Sequence, residues 1–190
     1  MRTRRIAFIL AAVAVLSAVL VVVTSHNLKV RRLVNAVRSG DESTVNRILQ
    51  DVPEAVNAMF PLGRRSGTLL HAASMKQQPN IVRILIEHGA NVNLSGEYAE
   101  SPLYVAATYN CPGCVKLLLE AGADVNARGG MGRTPLMTAV ISGSDSDIIE
   151  MLLRSGATPD LADDLGTTAL QMATMYGQTN CVTILSKRSQ

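Results

Sequence analysis

Four short segments of this chain repeat one another at an almost constant spacing. Thr68–Ala73 (TLLHAA), Ser101–Ala107 (SPLYVAA), Thr134–Val140 (TPLMTAV) and Thr168–Thr174 (TALQMAT) align on leucines 70, 103, 136 and 170, which lie 33, 33 and 34 residues apart. A period of this size marks a chain in which each unit buries its apolar face against its neighbours, so the fold is a stack without a single central core. The one extra residue falls in the polar stretch Ser142–Asp147 (SGSDSD), a connection where an insertion costs little.

A second marker runs in the same register. IVRILIEHGANVN (81–93), CVKLLLEAGADVN (114–126) and IIEMLLRSGATPD (148–160) each have the pattern of a helix closed by a glycine, at Gly89, Gly122 and Gly156. The position just past a helix end requires a left-handed backbone, which glycine adopts without strain. Pro79 and Pro112 precede the apolar run of their units by the same step, where a proline loses no intrahelical bond and presets φ. Each unit is thus helix, tight turn, helix, glycine stop and extended loop. Aromatics make up only 3% of the chain, with no Trp and two Phe, which suits close-packed helices better than a β-sandwich.

This pattern resembles the ankyrin repeat, whose 33-residue period and Thr-Pro-Leu-His-x-Ala motif are matched closely by Thr68–Ala73 and in part by the other three segments. Asp163–Thr168 is similar to the family's entry from loop to helix. The resemblance covers the chain from about Lys29 onward and implies an all-α repeat solenoid. Its units are an N-terminal capping repeat (29–61), repeats at 62–95, 96–128 and 129–162, and a shortened last repeat (163–190). β-hairpin-like finger loops are expected between units, the first lengthened over Met59–Ser66 because Leu33 and Leu70 are 37 residues apart. His71 is then the structural histidine of the motif. His88 stands in the last turn of a helix, where a cation suits the dipole.

The same resemblance implies a protein partner held by the fingers and by the groove-facing side of each first helix. By register the finger positions are Arg64 and Arg65, then Glu97, Tyr98 and Glu100, then Met131 and Arg133, then Asp164 and Leu165. The helix positions before each turn are Met75 and Lys76, Thr108 and Tyr109, Ile141 and Ser142, and Met175 and Tyr176. Met, Tyr and Ile at successive repeats form an adaptable apolar strip of the kind enriched at interface centres. The finger charges change sign along the stack, from Arg64 and Arg65 to Asp163 and Asp164.

Catalytic sets are almost wholly lacking. The positions of the three histidines (26, 71, 88) are accounted for without catalysis, and no P-loop, zinc-protease or nucleophile-elbow motif occurs. Gly129-Gly130-Met131-Gly132 is glycine-rich but sits in a finger with no parallel strand before it. No cofactor or metal is expected. Cys111-Pro112-Gly113-Cys114 has the spacing of a redox dithiol, yet the βαβ context of thioredoxins is missing, and Cys114 shares its register with Ile81, Ile148 and Cys181 as a small buried residue. A bridge from Cys114 to Cys181 is excluded, since two repeats of about 20 Å separate residues that a disulfide needs within about 7 Å. A Cys111–Cys114 disulfide, or a periplasmic redox or stress-protection role for that pair, remains open.

Ahead of the repeats, Arg2, Arg4 and Arg5 (in residues 1–5) precede an uncharged apolar run over residues 6–23, and residues 24–28 return to polar character. Eighteen residues of helix rise about 27 Å, close to the hydrocarbon thickness of a bilayer. Its length favours a retained single-pass anchor, while Val23 and Ser25 leave cleavage before His26 as an exported, periplasmic protein open. Without residues 1–5 the formal charge falls from +3 to zero, 15 basic against 15 acidic residues, which removes the electrostatic support for nucleic-acid binding. The sequence therefore describes a non-enzymatic interaction module at or beyond a membrane, with an exported neutralising, immunity-like role as a narrower version.

Overall fold

A computed structural model of the protein describes residues 28–63 and 65–187. The expectations for the apolar run 6–23 and for Arg64 lie outside these residues. No helix among the described residues is long and apolar enough to cross a membrane.

Ten α-helices among the described residues alternate in pairs. They are α1 (28–39) and α2 (Glu42–Asp51), α3 (Leu69–Met75) and α4 (Pro79–Glu87), α5 (Pro102–Thr108) and α6 (Pro112–Glu120), α7 (Pro135–Ile141) and α8 (Ser146–Arg154), and α9 (Ala169–Met175) and α10 (Thr179–Ser186). First helices pack on first helices (α3 on α5, α5 on α7, α7 on α9) and second helices on second helices. Several of these helices have seven residues, too short to persist alone in water, so packing holds them. Leu70, Leu103 and Leu136 are fully buried between layers, while Leu170 is half-buried because no further helix pair among the described residues covers it.

Capping follows the repeat. Ser101, Thr134 and Thr168 sit at N-caps, and their hydroxyls accept the N–H of residues 104, 137 and 171. Asp41 does the same for Thr44, and that bond, with a further one from Ser43, holds its carboxyl down at about 2. Gly89 follows the C-cap of α4 at φ 82°, the left-handed conformation its position requires. The insertion lies where the spacing placed it: first to second N-cap is ten residues for Thr68 to Gln78, Ser101 to Cys111 and Thr168 to Gln178, but eleven for Thr134 to Asp145.

Two expectations change. Among the described residues only the first finger is a paired hairpin, with Phe60 opposite Gly67 and Pro61 opposite Ser66. The second and third are tight loops whose ends are joined by Gly96 N–H to Glu100 O at 2.8 Å and Gly129 N–H to Arg133 O at 2.8 Å, with further turn bonds inside each and no paired strands beyond them among the described residues. The fourth adds a single bridge, Ala162 to Thr168. His88 is the C-cap of α4, and its Nε2 lies 3.1 Å from Asn46 Oδ1 on α2, so it joins two units by a hydrogen bond beyond any interaction with its own helix end.

Candidate functional site

The first two fingers and the first helices α3 and α5 enclose a concavity of about 330 Å³. Its lining includes seven of the residues that the repeat register picks out: Arg65, Met75, Glu97, Tyr98, Glu100, Thr108 and Tyr109. Buried His71 ties this wall together. The Thr68 N–H donates to its Nδ1 at 3.1 Å, so Nε2 carries the proton and donates to the Glu100 carbonyl at 2.9 Å. Burial pushes the His71 pKa below its ordinary value, opposed in part by the bond to Glu100, and the ring is therefore a neutral strut.

The charged finger residues mainly hold one another. Arg65 Nη1 donates to both oxygens of the Glu100 carboxylate, at 2.8 and 3.0 Å, and the guanidinium lies 5.0 Å from the centre of the Tyr98 ring. Glu97 accepts the Ser66 N–H at 2.8 Å. These bonds fix the second finger against the first and present the Tyr98 ring at the groove mouth. Thr108 is half-buried and spends its hydroxyl on the Tyr104 carbonyl and on Thr138 of the next unit.

Large apolar groups remain on the surface: Tyr98 (51% exposed), Tyr109 (41%), Met131 (52%), Leu165 (73%), Met175 (75%) and Tyr176 (52%). Tyr98, Met131 and Leu165 share one fingertip register, and Tyr109 and Tyr176 share the register at the end of the first helix. Met75 and Ile141 are half-buried, and Lys76 and Ser142 are exposed C-caps of α3 and α7. Asp164 is exposed, and its N–H donates to the Met131 carbonyl at 3.1 Å.

The fourth finger departs from its expected character. The Asp163 side chain is 1% exposed and turns inward, accepting the N–H groups of Thr167 and Leu165 with Arg133 Nε 3.6 Å away. The Thr167 amide foremost, with the Leu165 amide and Arg133, holds its carboxyl below the usual range despite burial. Asp163 therefore adds no surface charge, and Arg133 serves the fold as an ion-pair partner.

Sequence reasoning missed Arg38, Leu62 and Tyr104. Arg38 is exposed and lines, with Leu62, Gly63, Ala72, Met75 and Lys76, a second concavity of about 370 Å³ at the N-terminal end of the groove. The 37-residue step from Leu33 to Leu70, applied backwards from Met75, lands on Arg38 and was the available signal. Tyr104 is the N3 residue of α5, in the register of His71, and packs under the third finger at Gly129.

Cys111 and Cys114 form a disulfide at the start of α6, with Cα atoms 5.3 Å apart and both residues buried. Cys181 is free and buried, and burial raises its thiol pKa. No group of acidic, His and Cys side chains among the described residues could hold a metal ion.

Comparison with known proteins agrees with the repeat architecture. The family model described as "Ankyrin repeats (3 copies)" matches residues 33–129 and 128–190. The chain is 29% identical over 162 residues to "Putative E3 ubiquitin-protein ligase XBAT31" of Arabidopsis thaliana, an alignment that covers 79% of this chain and 35% of that protein.

Proposed function

This chain belongs to the ankyrin-repeat family, and from that premise we propose that it binds a partner protein in the groove formed by the fingers and the first helices, and that it acts by occupancy without catalysis. One observation carries the reading: a formed concavity whose wall is locked by His71, Arg65 and Glu100 while the Tyr98 and Tyr109 rings stay exposed at its edge. Buried aromatic anchors dominate binding energy at protein interfaces, and a wall already held in place loses little freedom on binding. Because the alignment to the Arabidopsis protein covers about a third of that protein's length, its ligase activity is not carried over.

Affinity capture with the full chain and with Tyr98→Ala/Tyr109→Ala tests the proposal. Loss of the captured protein from the double variant, with the fold intact by circular dichroism, is expected; undiminished capture overturns the groove assignment. If the captured protein is an enzyme or toxin whose activity falls on binding, the neutralising version is the correct form.

The apolar run over residues 6–23 supports a place at or beyond a membrane. Intact mass of the membrane-extracted and soluble protein distinguishes an anchor from a cleaved leader. The Cys111–Cys114 pair favours a structural staple over a redox factor, since neither residue is exposed to a substrate. Unchanged partner capture by a Cys111→Ser variant is the expected result.

A further inference from the structure

The N-terminal end of the groove carries charge that the chain itself leaves unanswered. Arg38 and Lys76 line one concavity with apolar Leu62 and Met75, and no carboxylate belongs to that lining. Arg38 donates one bond from its guanidinium to the Pro61 carbonyl at 2.9 Å, which anchors the side chain against the first finger without neutralising it. Neither residue has an ion-pair partner among the described residues, in contrast to Arg65 on Glu100 and Arg133 on Asp163. The adjoining concavity shares Leu62 and Met75 with this one, and its two carboxylates are taken, Glu97 by the Ser66 amide and Glu100 by Arg65. Two cations next to an apolar, aromatic trough thus form one continuous surface.

We propose that this surface takes an extended segment of the partner with a fixed pattern: acidic side chains over Arg38 and Lys76, followed by an apolar or aromatic side chain in the trough beside Tyr98 and Tyr109. The proposal rests on the groove reading above and specifies the chemistry of its occupant. Neighbouring helices are about 8–10 Å apart and an extended chain advances about 3.3 Å per residue, so roughly three residues separate the acidic and apolar positions. The occupant comes from another protein: the chain's own N-terminus carries Arg2, Arg4 and Arg5 and has the wrong charge for this end of the groove. Complementary charge at the rim governs encounter and register more than total affinity, so the acidic preference is steepest at low salt.

The probe is a random 12-residue peptide library displayed on phage and selected against the detergent-solubilised full chain. Selected peptides are then titrated by fluorescence anisotropy against the wild type, Lys76→Glu, Arg38→Gln and Tyr98→Ala/Tyr109→Ala. Expected are peptides with Asp or Glu about three residues from an aliphatic or aromatic residue. Their affinity falls about three- to fivefold in Arg38→Gln, as one rim charge allows, and up to about tenfold in Lys76→Glu, which reverses a charge, and the loss shrinks as salt rises. Lys76→Glu, which keeps the Arg38 bond to the first finger, separates lost charge from a disturbed finger. Peptides that depend on the tyrosines but show no acidic enrichment and no response to Lys76→Glu overturn the proposal and leave the groove reading standing. Peptides indifferent to the tyrosines, or no enrichment at all, overturn both. A concentration-dependent dimer broken by Lys76→Glu overturns the proposal in favour of a second copy of the chain as occupant.

Discussion

Asn93 brackets Gly122, the glycine that closes the following unit: its Nδ2 donates to the Gly122 carbonyl at 3.1 Å, and its Oδ1 accepts the N–H of Asp124 at 2.8 Å. The same pair of bonds recurs one unit earlier, from Asn57 to Gly89 and Asn91, and one unit later, from Asn126 to Gly156 and Thr158. A glycine C′ in the left-handed conformation leaves carbonyl and amide groups that its own helix does not use, and a side-chain amide with one donor and one acceptor face answers both. The ladder thus joins four successive units along the segments that lead from each second helix into the finger that follows.

Replacing Asn93 with Ala removes two exposed hydrogen bonds and should lower stability by about 1–2 kcal/mol in urea denaturation. Asn57 and Asn126 serve separate interfaces, so the double variant Asn57→Ala/Asn126→Ala should lose close to the sum of its single variants. A loss confined to one of the three positions contradicts a shared ladder.

His71 makes stability depend on pH. Burial keeps its folded pKa below the ordinary 6.5, and a proton on Nδ1 would confront the Thr68 N–H. The unfolded chain therefore binds this proton first as pH falls, so the contribution is complete above about pH 6.5 and declines below it. The last unit shows how to remove the charge and keep the bond: Gln171 stands in the same register and its Oε1 accepts the Thr168 N–H at 2.9 Å. His71→Gln should retain helical content and lose the decline in melting temperature between pH 7 and pH 5. Asp41 and Asp163 add their own loss only at lower pH, as each is protonated below the ordinary carboxylate value of 3.8. An identical decline in His71→Gln would assign it to other groups.

The Cys111–Cys114 bridge closes a short loop, so its effect on the unfolded chain is about 2 kcal/mol in the chain-entropy estimate. Cys111→Ser/Cys114→Ala should lose about this much relative to the oxidised wild type and should come close to the wild type in reductant. Alkylation of the denatured, unreduced protein should modify Cys181 alone. Modification of all three cysteines would show that the pair is held as thiols.

Much of the architecture was legible because it repeats. The 33-residue period, the glycine stops and the displaced N-cap of α8 are features of one unit that neighbouring units corroborate. The groove candidates were legible as positions but less so as roles. Arg133 and Asp163 have the composition of a solvated finger, yet they meet across two units, and no local pattern announces a carboxylate folded back onto its own loop amides. Glu97, Glu100 and Arg65 likewise satisfy partners about thirty residues away. Arg38 escaped because the capping unit lacks the Thr-Pro-Leu entry that anchors the register elsewhere, so only the longer 37-residue step reveals its place.

The third finger tests how closely fingers and helices must fit. A Cβ at Gly129 would stand 2.8 Å from the Tyr104 ring, closer than van der Waals contact permits, and its φ of −103° requires no glycine on conformational grounds. Close approach alone therefore accounts for the residue. Gly129→Ala should destabilise the chain by about 1–3 kcal/mol through overpacking. The next unit supplies the compensating change: Asp163 stands in the register of Gly129, and the residue in the register of Tyr104 is Met137, a flexible side chain that yields to a Cβ. Tyr104→Met in the Gly129→Ala background should recover most of the lost stability in urea denaturation. The same Tyr104→Met change alone should destabilise, since it empties space the ring fills. Failure of the pair to rescue would place the requirement for Gly129 in the finger backbone and not in the ring beneath it.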